Sequence, residues 1–165
     1  MPKYLTLALA SGLAVAATAA QAQVNSASIT ATATVQAPIN VSAVANLDFQ
    51  NVFPGVSKAV AVGDPTAGRW SVTGQTSTPV TLTFTLPTNL VSAGNQLPIG
   101  TWTGNHNTAA TPTGTSFTPS GTPTPATLSA GAVGELFVFI GATVTPAANQ
   151  PGGVYQAGVT LTVVY

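Results

Sequence analysis

Strict alternation of apolar and hydroxyl-bearing side chains restricts the fold of this chain more than any other feature. Val80, Leu82 and Phe84 are separated by single threonines, and Leu86 continues the pattern. A two-residue repeat puts the apolar side chains on one face of a β-strand, whereas a helix repeats about every 3.6 residues. From residue 23 onward the sequence has no apolar stripe of helical spacing. We therefore predict an all-β protein.

Other segments carry strand patterns of different kinds. A second alternating segment has Val159, Leu161, Val163 and Tyr165 as its apolar set. The stretch 136–140 is apolar at every position, which is typical of a central strand covered on both faces. Weaker strand patterns lie near residues 41–49, 57–62, 69–73 and 97–103.

Proline and glycine divide these segments. They mark turns, because proline fixes φ and glycine permits positive φ. Short strands separated by such turns predict one antiparallel β-sandwich of about seven to nine strands, over residues 23–165. The stretch 104–134 is rich in Thr, Pro and Gly, and we expect it to be a surface excursion with at most one short strand.

Residues 1–22 have the features of a secretory signal peptide. Lys3 is followed by an apolar run, rich in Ala and Gly and too short for a stable membrane span, and then by Ala20-Gln21-Ala22, which has the form of a cleavage site. We expect cleavage after Ala22 and export to the periplasm, on the way to the cell surface or the extracellular space.

Ionisable side chains are scarce, and this excludes several functions. Charged residues make up 4% of the sequence, against roughly 25% in ordinary soluble domains. Once Lys3 leaves with the leader, Lys58 and Arg69 are the remaining cations, too few to bind nucleic acid through its phosphates or to form a polybasic membrane anchor. Cysteine is absent, so disulfides and thiolate metal sites are excluded as well.

Candidate catalytic and metal-binding groups are equally few. His106 is the sole histidine, so a histidine metal site or an activated serine would depend on it alone. The acidic residues are Asp48, Asp64 and Glu135. Asp64 lies in a Gly-Asp-Pro turn, and the other two flank strands, where charges oppose edge pairing. We therefore predict no enzymatic activity, no catalytic residue, no metal and no cofactor.

The segment 28–41 directly follows the predicted leader and also alternates. Its apolar positions begin with Ile29, Ala31, Ala33 and Val35. One interpretation makes it the first strand of the protein's own sandwich. The other makes it a donor strand, which completes an unpaired sheet edge of a neighbouring chain and places alternate side chains in pockets there. The sequence leaves both interpretations open.

Four short motifs point to a family. They are Leu47-Asp48-Phe49, Ile140-Gly141-Ala142-Thr143, Gly153-Val154-Tyr155-Gln156-Ala157-Gly158 and Leu161-Thr162-Val163-Val164-Tyr165. Together they resemble the bacterial secreted family called domain of unknown function 4402. The resemblance implies an immunoglobulin-like sandwich, an organisation like that of pilin-type surface proteins, and no enzymatic activity. This chain has Gln50 where the family usually has glycine after its Leu-x-Phe motif.

A more distant similarity concerns the second alternating segment. It is similar to the final strand of subunits of chaperone-assembled pili and of spore-coat-U-like surface fibres, although the cysteine pair common in pilus subunits is missing. The similarity implies that Val159, Leu161, Val163 and Tyr165 are held by a periplasmic chaperone before assembly. The simpler interpretation is that Tyr165 packs at the edge of the sandwich.

Trp70 and Trp102 support a second class of function. Indole rings on a β-sandwich can stack against sugars. Trp70 is in phase with Val72, which predicts a position in the core, while Trp102 can point either way. We expect a noncatalytic cell-surface structural protein that self-associates by strand donation, which a weak net charge permits. The alternative is a monomeric secreted module that binds carbohydrate.

Overall fold

The computed structural model describes residues 25–165. The predicted signal peptide over 1–22 lies outside the described residues. The chain divides into two units, of which the first includes residues 25–34 and the second extends from Val35 to Tyr165. Within the first unit, residues 25–34 form no strand and are all exposed.

The second unit is an all-β domain, and ten strands are assigned within the described residues. They are β1 (Asn40–Ala45), β2 (Lys58–Val60), β3 (Gly68–Gly74), β4 (Pro79–Thr85), β5 (Asn89–Ser92), β6 (Asn95–Asn107), β7 (Thr115–Phe117), β8 (Thr124–Thr127), β9 (Gly134–Val144) and β10 (Thr160–Val164). Between residues 25 and 165 there is no helix that could cross a lipid bilayer.

The strands form two antiparallel sheets, which confirms the predicted sandwich-like fold. Seven strands make the large sheet, in the order β1-β3-β9-β6-β5, with β2 paired to β9 and β7 paired to β6. The small sheet has the order β10-β4-β8. The strand count exceeds the predicted range because β2, β5 and β7 have three or four residues each, too few to show an alternation.

The main core lies between the two sheets. Val80, Leu82 and Phe84 on β4 are buried while the threonines between them are less so, as the alternation predicts. They pack in one cluster with Leu136, Val138 and Ile140 of β9. The central position of β9 in the large sheet confirms the interpretation of its apolar run. Burial of such aliphatic side chains stabilises the fold by about 1.5–3 kcal/mol each.

A second core lies at the far end of β9. Its buried members come from β2, β6 and β9 of the large sheet and from the loops after β1 and β2. They include Phe49, Leu97, Ile99 and Val144. Leu47, Val52 and Tyr155 pack against it from loops, so loops take part in covering this end of the large sheet.

A β-bulge in β6 connects the two cores. β6 carries one more residue than β9 between the pairs Gly100–Thr143 and Thr103–Gly141. Thr101 lies in this bulge with φ at 48°. Before the bulge, the odd-numbered residues Leu97 and Ile99 point into the core. After the extra residue, the inward positions are even-numbered, and Trp102 packs against buried residues of both clusters.

Two sequence predictions need correction. The segment 28–41, predicted as a strand either of the protein's own sandwich or donated to a neighbour, forms no strand over residues 28–39 of the single chain, and β1 begins only at Asn40. The stretch 104–134 is more than a surface excursion, since it contains the end of β6 and all of β7 and β8. Leu128 in this stretch is 2% exposed and belongs to the main core. Composition misled here because threonine and proline line the outward positions while a few apolar residues point inward.

Candidate functional site

The N-terminal arm, residues 25–36, contains the predicted donor positions. Ile29 is 95% exposed and Val35 is 92% exposed. Ala31 and Ala33 are exposed as well. The arm has no ionisable side chain. Its alternating apolar residues therefore lie in water, and no strand of the described chain covers them.

A groove with a volume of about 970 Å³ opens in the second unit. One wall is formed by residues 43–54 and the other by residues 146–159. Its floor includes Leu97, Ile99, Ile140 and Val144. Asp48 is the one acidic or basic side chain among the described residues that line it. The groove is therefore a channel with few charges, lined by apolar and amide side chains, between the end of β1 and the segment that leads into β10.

The second wall of the groove is braced by its own side chains. The Gln150 side-chain amide donates to the Tyr155 hydroxyl at 2.8 Å and to the Gln96 carbonyl at 3.1 Å. The Tyr155 hydroxyl donates to the Pro151 carbonyl at 2.8 Å. Backbone hydrogen bonds in both directions between Val91 and Gln156 tie this wall to β5. These hydrogen bonds connect the second wall to β5 and β6.

At the mouth of the groove, large apolar side chains are exposed. Phe53 and Val154, one on each wall, are both exposed and line the groove. Exposed apolar residues around a channel are typical of a surface that binds another molecule. Phe53 has no signal in the sequence patterns and Val154 only a place in the motif that begins at Gly153, because neither belongs to an alternating segment. The turns Pro54-Gly55, after Phe53, and Pro151-Gly152-Gly153, before Val154, were the signals in the sequence that these residues lie on loops.

The residues predicted to form a C-terminal assembly strand lie along an edge of the small sheet. β10 pairs with β4 on one side and is a terminal strand of the small sheet. Leu161 is buried in the main core, and Val159 and Val163 pack against it. Val159 also lines the groove. The inward alternation predicted for this segment is therefore present.

Tyr165 closes the sandwich at the end opposite the groove. Its hydroxyl donates a hydrogen bond to the Ala37 carbonyl and accepts one from the Gln75 backbone N–H at 2.8 Å. The Gln75 side-chain oxygen accepts a hydrogen bond from the Ala37 N–H at 3.2 Å. We call Tyr165, Gln75 and Ala37 the clamp. It joins the base of the arm to the connection between β3 and β4.

Both tryptophans pack against the core. The Trp70 ring meets the Phe84 ring edge to face, with centroids 6.2 Å apart. Trp70 also lines the groove, whereas Trp102 packs against both core clusters. Both rings are half-buried. The core position predicted for Trp70 agrees with this geometry, and Trp102 points inward because of the bulge in β6.

The titratable residues do not form a reactive centre among the described residues. His106 lies beside the Phe117 ring, with ring centroids 5.7 Å apart, and burial lowers its pKa from the ordinary value. Asp64 accepts a hydrogen bond from the Ala61 N–H, as expected of a turn residue. Within residues 25–165, no group of three or more His, Asp or Glu side chains could hold a metal ion. Glu135 is an exposed residue of β9.

One charged side chain has an unusual position. The Arg69 guanidinium lies over the Phe139 ring, 6.0 Å from its centroid, on the outer face of the large sheet. Its Nε is buried and has no hydrogen-bond partner in the described part of the chain. Arg69 is not among the residues that line the groove, and it contributes to packing of the outer face.

Comparison with known proteins gives no match: no family profile fits the chain, and no curated protein is significantly similar to it.

Proposed function

We propose that this protein is a noncatalytic structural subunit of the cell surface, and that its copies join by strand donation. The arm is the donor strand, and the groove of the neighbouring copy is the acceptor. One observation carries the proposal: the alternating apolar residues of the arm, Ile29 and Val35 above all, are almost fully exposed while no strand pairs with them. The resemblance to domain of unknown function 4402 is consistent with this role.

The arm and the groove match in chemistry. An extended segment adds to a sheet edge through backbone hydrogen bonds, and its alternate side chains enter pockets. β1 is a terminal strand of the large sheet and contributes Ala43 and Ala45 to the groove, so it offers unpaired backbone groups there. The arm has no charge to desolvate, and the groove lining carries only Asp48 among its described residues. Burial therefore incurs little electrostatic cost.

Length also permits donation to a neighbour. At about 3.3 Å per residue, the twelve residues of the arm, 25–36, span roughly 40 Å when extended. The seven-residue strand β3 spans about 20 Å on the same scale. The arm is thus long enough to leave one subunit and still lie along the groove of the next.

A test of the two faces of the arm distinguishes strand donation from nonspecific association. We expect Ile29→Asp combined with Val35→Asp to abolish assemblies of the exported protein, measured by light scattering, because both carboxylates would enter the groove. The matched control, Thr30→Asp with Thr34→Asp, adds the same charge on the opposite face and should leave most of the assembly. Equal effects of the two pairs would reject strand donation, as would unchanged assembly after deletion of residues 25–36.

A carbohydrate-binding module is the second candidate, and one observation favours it. Trp70 and Tyr155 line the groove together with amide side chains such as Gln50 and Gln150. Aromatic rings and amides of this kind suit sugars. If sugar binding is the function, a panel of soluble polysaccharides should shift the tryptophan fluorescence, and Trp70→Phe should remove the shift. We expect no shift if the groove is reserved for the arm.

A further inference from the structure

The clamp fixes the residue from which the arm extends. Both backbone polar groups of Ala37 are occupied, the N–H by the Gln75 side chain and the carbonyl by the Tyr165 hydroxyl. The site is built closely around this contact. A Cβ atom on Gly74 would lie 2.8 Å from the Tyr165 hydroxyl oxygen and 3.5 Å from Ile39. Glycine at position 74 therefore makes the clamp possible.

The residues after Ala37 restrict the chain further. Pro38 disfavours the helical conformation of Ala37 and favours an extended one. Ile39 packs against the main core. To pair with β1 of its own chain, the arm would have to reverse direction within residues 37–39. The tight turns that join antiparallel strands need positive φ at one or both central residues, whereas proline is fixed near −65°.

These constraints oppose pairing of the arm with β1 of its own subunit. A turn at 37–39 would break the hydrogen bonds of Ala37 to Gln75 and Tyr165 and would displace Ile39 from the core. Each of these lost hydrogen bonds would lower the stability of the domain. The arm can therefore pair with β1 of its own subunit only by giving up these contacts.

We propose that Tyr165 and Gln75 are positioning residues that direct the arm to a second copy of this chain. This inference rests on the proposed function. It adds that the clamp decides whether the arm pairs within its own chain or with another chain. Gly68, at the groove, and Gly74, at the clamp, stand at opposite ends of β3. A donor at one end and an acceptor at the other produce a heterologous contact, which generates a fibre where the rotation between successive copies does not close a ring.

The test releases the clamp without touching the groove. The double variant Tyr165→Phe with Pro38→Gly removes the hydroxyl and the restriction on Ala37. We expect the assembled fraction to fall and the arm amides to become protected in the monomer, with hydrogen exchange slowed roughly tenfold at every protein concentration. In the unaltered protein, protection of the arm should appear only at concentrations where assemblies form.

A matched control separates release of Ala37 from the general effect of losing two hydrogen bonds near the clamp. The Thr76 hydroxyl next to the clamp donates to the Ser129 carbonyl and accepts from the Gly131 N–H, both at 3.1 Å. Thr76→Val removes as many hydrogen bonds as Tyr165→Phe but leaves Ala37 held, so assembly should persist. If the double variant does not fold, Gln75→Ala releases the clamp from its other side and is judged by the same two measurements.

Two outcomes would overturn this inference. Assembly of the clamp variants at the level of the unaltered protein would show that the clamp does not direct the arm. Reduced assembly with an arm that still exchanges freely would show that the clamp only supports the sheet edge. Failure of the proposed function looks different, because deletion of residues 25–36 would then leave the assembly of the unaltered protein intact.

Discussion

The aromatic ring of Phe117 lies directly over the backbone of Gly104, so close that a Cβ atom at Gly104 would come within 2.6 Å of it. β7 carries Phe117 beside β6, and the ring stacks on Phe84 of the small sheet with centroids 5.5 Å apart. Phe117 thus connects the two sheets, and it reaches the core because position 104 has no side chain.

Substitution of Gly104 should therefore strain the core. We expect Gly104→Ala to lower the free energy of unfolding by about 1–3 kcal/mol, the usual cost of overpacking. Urea denaturation measures this change. Gly100→Ala is the matched control on the same strand, since a Cβ there would have no neighbour within 4 Å. Equal destabilisation by the two variants would contradict the packing of Phe117 over Gly104.

The core role of the stretch 104–134 can be tested at Leu128. We expect Leu128→Ala to cost about 2–5 kcal/mol of stability, because it leaves a cavity in the main core. Val133, in the same stretch, is 54% exposed. Val133→Ala should change the free energy of unfolding by no more than about 0.5 kcal/mol. A surface excursion, as composition alone suggested, would make both substitutions harmless.

The sequence predicts the part of the fold that depends on alternation. Val80, Leu82 and Phe84 show the period directly, and their burial follows from it. Phe117 and Leu128 are separate apolar residues among Thr, Pro and Gly, so only the tertiary structure shows that they enter the core. The groove was not predictable for a similar reason: its walls are loops, and Phe53 and Val154 come together through pairing of distant segments.

The arm shows a different limit of prediction. Its alternation is typical of a strand, yet residues 25–36 form none in the single chain, and a pattern of side chains does not specify which chain would supply a partner strand. Pro38 was the local signal that the alternation is interrupted before β1, since proline restricts the residue that precedes it. The clamp joins Ala37 to Gln75 and Tyr165 across long sequence separations. No local pattern contains that information.

Stability should depend on pH through His106. Burial holds its pKa below the ordinary value of 6.5, so the folded protein binds fewer protons than the unfolded chain as the pH falls through that value. We therefore expect the free energy of unfolding to decrease as the pH falls below about 6.5 and to be highest above it. His106→Gln should flatten this dependence in urea denaturation at a series of pH values. If His106→Gln kept the pH profile of the unaltered protein, the loss of stability at low pH would come from other groups.

Disulfide trapping between copies tests the central claim most directly, because the sequence contains no cysteine that could interfere. One preparation carries Ala33→Cys in the arm, and a second carries Ala43→Cys in the groove wall. On mixing and mild oxidation, we expect disulfide-linked pairs of the two variants in nonreducing electrophoresis. Replacement of the second variant by Ala130→Cys, at an exposed position outside the groove lining, should yield few pairs. Equal yields at Ala43 and Ala130 would contradict donation of the arm into the groove of a neighbouring copy.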